Sequence, residues 1–150
     1  MWFLYNKEKE FLMENCIFCK IANHVIPSSV VYEDDDVIAF LDISQTTMGH
    51  TLVVPKKHYD NFLTAPKNVM NKVMNVAQRI GQILIKNFKA KGINILSNCY
   101  EAAGQTVMHF HVHVIPRYLS ADGLTIEMHK NEDLENINLP VLANQIKDLL

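Results

Sequence analysis

No run in the 150 residues approaches the roughly 20 consecutive apolar positions that a membrane-spanning helix needs, because Asp, Lys or Asn breaks every apolar stretch early. Cysteine is scarce and odd in number. Cys16 and Cys19 form a C-x-x-C pair and Cys99 stands alone, which does not fit the even disulfide framework of a small secreted domain. Neither sign of charge is in excess: the net charge of -2 and a pI near 6.4 exclude a broadly cationic surface, so an anionic ligand must be held by a local site. The sequence has no internal repeat and no low-complexity tract. Met1 to Tyr5 are apolar, but charged residues from Lys7 to Glu10 follow and no small-residue cleavage site does, so no signal peptide is expected. These absences predict a soluble, cytoplasmic protein with neither a nucleic-acid nor a membrane partner.

What is present is a composition of 49% hydrophobic and 20% charged residues, enough to bury the core of one domain. Val30–Glu33 and Val37–Leu41, separated by Asp34-Asp35-Asp36, predict a hairpin. Gly49–Pro55 predicts a third strand ended by Pro55, and Ile93–Asn98 a fourth. Between them, Val69, Val73, Val76, Ala77, Ile80, Leu84 and Phe88 recur at helical spacing, which predicts one long helix from Pro66 to about Ala90, with Gly92 as its stop. Pro140, Leu142, Ile146 and Leu149 or Leu150 predict a final helix. The expected fold class is α+β, an antiparallel sheet of about five strands with one long helix and short helices. Residues 1–13, which end at a second methionine, are expected to be an extension, disordered or helical. Residues 118–150 form a C-terminal tail.

Val107 to Ile115 alternate with period two and Pro116 closes the run, which predicts a fifth strand with Phe110, Val112 and Val114 on one face and His109, His111 and His113 on the other. One isolated histidine, such as His24, His58 or His129, is most simply a hydrogen-bonded structural residue. Three in strict alternation have little packing value and mark a site. Imidazole is the commonest protein ligand for zinc, and it is also a nucleophile when a hydrogen bond at one nitrogen fixes the other as the free lone pair. The loop before the triad carries Asn98, Gln105 and Thr106, whose amide and hydroxyl groups could serve a phosphate or simply shape a turn.

The run Gly104-Gln105-Thr106-Val107-Met108-His109-Phe110-His111-Val112-His113-Val114-Ile115-Pro116-Arg117 resembles the signature of the histidine triad (HIT) family of nucleotide hydrolases and transferases. Cys16–Ile21, Val37–Ile43 and Gly49–His58 resemble upstream pieces of that family in order, so the resemblance covers residues 14–117. It implies a homodimer that binds a purine nucleotide and cleaves it at the α-phosphate of a nucleoside phosphoramidate or dinucleoside polyphosphate. His111 would be the nucleophile, assisted by His109, His113 and His50. Asp42 would bind the ribose, and Phe18, Phe40 and Ile43 would line the base pocket. The C-x-x-C pair resembles that of bacterial members holding structural zinc, with Cys16, Cys19, His50 and His109 as the implied ligands. A closed Cys2His2 site is structural rather than catalytic, and no cofactor would be required for the chemistry itself. Metal coordination and proton transfer would then compete for His50 and His109. Three alternatives are a zinc-stabilised nucleotide-binding module with little turnover, a hydrolase with catalytic zinc on the histidine strand, and a redox C-x-x-C. Ile115-Pro116-Arg117 departs from the glycine pair usual in the phosphoramidase branch, so substrate choice stays open.

Overall fold

The computed structural model describes residue 11, residues 14–119 and residues 122–150. The expectation for the N-terminal extension therefore lies outside the described residues apart from Phe11. The described chain contains helix α1 (Ile17–Ala22), strands β1 (Val30–Glu33), β2 (Val37–Leu41) and β3 (Thr51–Pro55), helix α2 (Lys67–Phe88), strands β4 (Gly92–Leu96) and β5 (Val112–Arg117), and helix α3 (Leu139–Lys147). The strands form one antiparallel sheet in the order β1-β2-β3-β5-β4.

β2 and β3 are apolar except for Thr51, and buried along nearly their whole length, because the sheet is covered on both sides. Val37, Ala39 and Val53 join Val112, Val114 and Phe110 against Val73, Val76, Ala77 and Leu84 of α2. Their neighbours Ile38, Phe40, Leu52 and Val54 point the other way, onto Phe18 and Ile21 of α1. α1 is short and mixed in sequence, and its start is fixed by Cys16, whose Sγ accepts a hydrogen bond from the Cys19 N–H at 3.5 Å.

Several boundaries differ from the sequence pattern for identifiable reasons. α2 ends at Phe88, with Lys89 in the left-handed cap (φ 63°) and its N–H bonded to Leu84 O, so Gly92 opens β4 rather than stopping the helix. β3 starts at Thr51. Gly49 instead takes φ 94°, a conformation natural to glycine, and turns the chain into His50. β5 starts at Val112 rather than Val107 and continues through Pro116 to Arg117. Its pairing with β3 begins at Val53↔Val112, and beyond it Pro55 carries no N–H for the ladder. Residues 109–111 are held otherwise: Phe110 N–H donates to Tyr59 O at 2.6 Å and His109 N–H to Val107 O at 2.9 Å. Pro116 is tolerated because β3 pairs no further than Val114, leaving β4 alone alongside it.

Candidate active site and metal cluster

The β3–β5 register decides which histidines meet. With Leu52 opposite His113 and Val53 opposite Val112, the chain upstream of β5 runs antiparallel toward the far end of β3. His113 therefore lies beside His50, just before β3, while His109 lies beside Pro55 and His58, at and after its end. The rings form a row on the α1 side of the sheet: centroids are 4.8 Å apart for His58 and His109, 5.0 Å for His111 and His113, and 5.2 Å for His113 and His50. The shared face expected of the triad is present, although only His113 lies within the strand.

His109 is fully buried and spent at both ring nitrogens. Its Nε2 lies 2.8 Å from Pro55 O, which makes Nε2 the protonated nitrogen, and its Nδ1 faces Cys16 Sγ at 3.4 Å and Cys19 Sγ at 3.5 Å. His58 Nδ1 lies 3.4 Å from Cys19 Sγ, and its Nε2 reaches Asp60 Oδ1 at 3.2 Å. All four donor atoms of Cys16, Cys19, His58 and His109 lie within 4.8 Å of one another. These sulfur–nitrogen separations match the edges, roughly 3.3–3.8 Å, of a tetrahedron with zinc–sulfur bonds of about 2.3 Å and zinc–nitrogen bonds of about 2.0 Å. Both histidines also carry the carbonyl or carboxylate partner that typically orients a metal-binding imidazole. The hydrogen bond between the thiols pushes Cys16 well below the usual thiol range and holds Cys19 above it, so one thiolate is already favoured. The Cys16 thiolate in turn raises His58.

This cluster corrects one implied ligand. His50 does not join Cys16, Cys19 and His109; His58, which looked like an isolated structural histidine, takes that place. The reason is topological, since β3 separates His50 from His58 and only the latter lies at the α1 N-terminus end. The signal was present in the proximity of His58 to the Pro55 strand terminator, but reading it required the register.

His111 is buried, and its Nδ1 lies 2.6 Å from the main-chain oxygen of His109. An oxygen acceptor there requires Nδ1–H, so Nε2 carries the lone pair. Burial is the largest influence on the ring and holds it below the usual histidine range. The edge of Phe18 packs at 5.0 Å from it, and Phe40 supports Phe18 at 5.7 Å. His113 Nδ1 and His50 Nε2 are 2.9 Å apart. Burial, then the neighbouring His111 and His50, push His113 down to about 4; burial likewise lowers His50. Asp42 Oδ2 lies 3.8 Å from His50 Nε2, and its Oδ1 accepts from Ser44 N–H.

The remaining expected residues divide. Ile43 is fully exposed next to Asp42, and Thr106 is exposed. Asn98 is half-buried and donates to Gly104 O at 3.2 Å. Gln105 is buried and occupied, with Nε2 donating to Asp60 O (2.6 Å) and Val107 O (2.9 Å) and Oε1 accepting from Tyr100 N–H (2.8 Å). It builds the loop instead of presenting a free amide. Gln45, not singled out by the sequence pattern, does similar work around His50: it donates to Asp42 O and His50 O and accepts from Gly49 N–H.

Fold and site together define a one-sheet α+β domain with a row of buried and half-buried histidines beside a Cys2His2 cluster able to hold a metal. The HIT domain family model matches residues 23–119, and the chain belongs to the HIT family. It is 45% identical over 131 residues to the protein named Protein hit of Bacillus subtilis, covering 83% of this chain and 90% of that one. It is 34% identical over 110 residues to the adenylylsulfatase HINT3 of Arabidopsis thaliana, covering 73% of this chain and 56% of that one. The crystal structure of a Zn-bound histidine triad family protein from Mycobacterium smegmatis superposes with a TM-score of 0.69 at 33% identity, over 91% of this chain and 99% of that one. Among the described residues no helix is long and apolar enough to cross a membrane.

Proposed function

We propose that the protein hydrolyses or transfers a purine nucleotide at its α-phosphate through a nucleotidyl-His111 intermediate. The observation that carries this reading is the 2.6 Å contact from His111 Nδ1 to the His109 carbonyl, which aims the Nε2 lone pair away from the backbone. Nε2 attacks phosphorus, a nitrogen–phosphorus bond forms, and the leaving atom departs with its bonding electrons. His113, held through Nδ1 by His50, has Nε2–H for a hydrogen bond to that atom. The imidazolium formed at His111 keeps its Nδ1–H on the carbonyl. Water then attacks phosphorus, the electrons of the nitrogen–phosphorus bond return to His111, one proton goes to solvent, and a nucleoside monophosphate is released.

In this reading Asp42 binds the ribose, and Phe18, backed by Phe40, and the exposed Ile43 contact the base. Asn98 and Thr106 serve the phosphate, while Gln105 holds the loop that carries them. The adenylylsulfatase relative supports chemistry at an adenylyl phosphorus. Cys16, Cys19, His58 and His109 would hold zinc, and the zinc-containing relative supports that assignment. With four protein ligands and no open position, zinc when bound supplies a cross-link and not a Lewis acid. His109 then contributes to the reaction through its carbonyl, and His50 is released from the metal to partner His113.

The same reading includes a homodimer. Among the described residues β4 is an edge strand whose backbone has one unpaired side, and an apolar groove lined by Gly81, Ile85, Ile93 and Ile95 runs between it and α2. Pairing two β4 edges covers both.

The test is AMP release from adenylyl sulfate, an adenylyl phosphoramidate and a dinucleoside polyphosphate by wild type and His111→Ala. Release by wild type alone supports the reading. Absent release with retained nucleotide binding points to the zinc-stabilised binding module, and equal release from both proteins overturns the role of His111.

A further inference from the structure

Asp42, His50 and His113 bring one carboxylate oxygen and two imidazole nitrogens within 4.8 Å of one another. They come from just after β2, just before β3 and the start of β5, and three backbone pairings fix them: Leu41↔Thr51, Leu52↔His113 and Asp42 N–H to His50 O at 3.0 Å. We propose that this trio is a second, weaker metal site for a first-row divalent transition cation, and that its occupancy blocks turnover. The inhibitory half rests on the nucleotidyl-transfer reading; the binding half does not.

The donor set supports this. His50 Nε2 and His113 Nδ1 lie 2.9 Å apart, close to the roughly 3 Å between two imidazole nitrogens that share a metal at about 2.0–2.1 Å each. Asp42 Oδ2 stands 3.8 Å from His50 Nε2, while Oδ1 is anchored by Ser44 N–H, so one oxygen is oriented and one remains for an ion. Two histidines and one carboxylate leave coordination positions open to water. Nitrogen donors select cobalt, nickel, zinc or iron over magnesium, which prefers oxygen.

Affinity follows from the outer contacts. His58 and His109 each have an oxygen partner behind the ring, whereas His50 Nδ1 is buried with no partner among the described residues. A ligand lacking that support binds its metal less tightly. The two sites are also physically separate, because the five residues of β3 place roughly 16 Å of strand between their ends. An ion held by the trio replaces the His50–His113 hydrogen bond and occupies the Asp42 oxygen assigned to ribose, so it competes with substrate.

The test titrates cobalt(II) into protein whose cysteine cluster is loaded with zinc, reading visible absorption, metal content after desalting, and AMP release in parallel. The expected result is one additional cobalt equivalent with nitrogen–oxygen ligation. AMP release falls along the same saturation curve and recovers at once on addition of EDTA, with the zinc retained. Asp42→Asn and His113→Asn, each checked for native circular dichroism and zinc content, weaken cobalt binding by about 10- to 100-fold or more. No second equivalent, cobalt entering only with a thiolate charge-transfer band, or wild-type binding in both variants overturns the site. Cobalt bound without any change in AMP release overturns the inhibitory half. A protein that binds cobalt but never releases AMP counts against the nucleotidyl-transfer reading alone.

Discussion

At the scale of single residues, the account depends on His111 being a neutral base with one defined tautomer. Burial holds it below an ordinary histidine, so the reactive form predominates at neutral pH and is lost by protonation. The rate of AMP release is expected to fall on the acid side with a midpoint below about 6.5, measured as a pH profile of kcat/KM. His111→Ala is expected to lower kcat by about three orders of magnitude or more. The same burial has a consequence for stability. His50, His111 and His113 are all lowered in the fold, so the unfolded chain binds protons first as pH falls. Their contribution is complete above about 6.5 and declines as pH falls toward the folded values, about 4 for His113. With zinc on the cysteine cluster, so that His58, raised in the metal-free fold, takes up no proton, thermal unfolding across that window should show a falling Tm; a Tm that rises on acidification of that zinc-loaded protein would contradict the burial of neutral rings.

At the scale of elements, β5 and the segment before it link the Cys2His2 cluster to His111. His109 is clamped by its ring to the cysteine helix α1, and its carbonyl sets His111. Chelating the metal is therefore expected to remove activity slowly, together with loss of α1 helicity and protection against hydrogen exchange, rather than immediately. Instant, reversible inhibition with the cysteine-site metal gone and the fold intact would point instead to a catalytic metal. Phe110, fully buried between these groups and facing α2, is expected to cost about 3–5 kcal/mol when replaced by Ala, read from denaturant unfolding. The elements themselves were mostly legible in the chain, because the hairpin, β3, the long helix and α3 each carry a local signature of period, turn or proline. The start of β5 was not. The histidine alternation looks like strand from Val107 onward, and only the partner strand, ending at Pro55, decides where pairing stops.

At the scale of the whole molecule, the triad and the cysteine pair could be seen in the sequence, but their division of labour could not. The resemblance gives His50 to the metal and leaves His58 as an isolated structural histidine; the antiparallel register instead places His58 beside Cys19 and His50 beside His113, which frees His50 from the cysteine cluster. The occupied amide of Gln105 was hidden for a similar reason, since its partners Asp60 and Tyr100 are distant or turn-dependent. Assembly is the other whole-molecule expectation. A dimer through β4 predicts that Ile95→Lys shifts the light-scattering mass toward one chain while leaving circular dichroism unchanged; a wild-type mass of one chain would contradict it. The central claim is the covalent intermediate, and the most direct measurement is rapid acid-free quenching of the reaction with an adenylyl substrate followed by mass spectrometry of peptides. The account predicts a transient adenylyl adduct on His111 that forms before AMP appears and is absent in His111→Ala. AMP release at the wild-type rate from His111→Ala, or an adduct on a different residue, would contradict it.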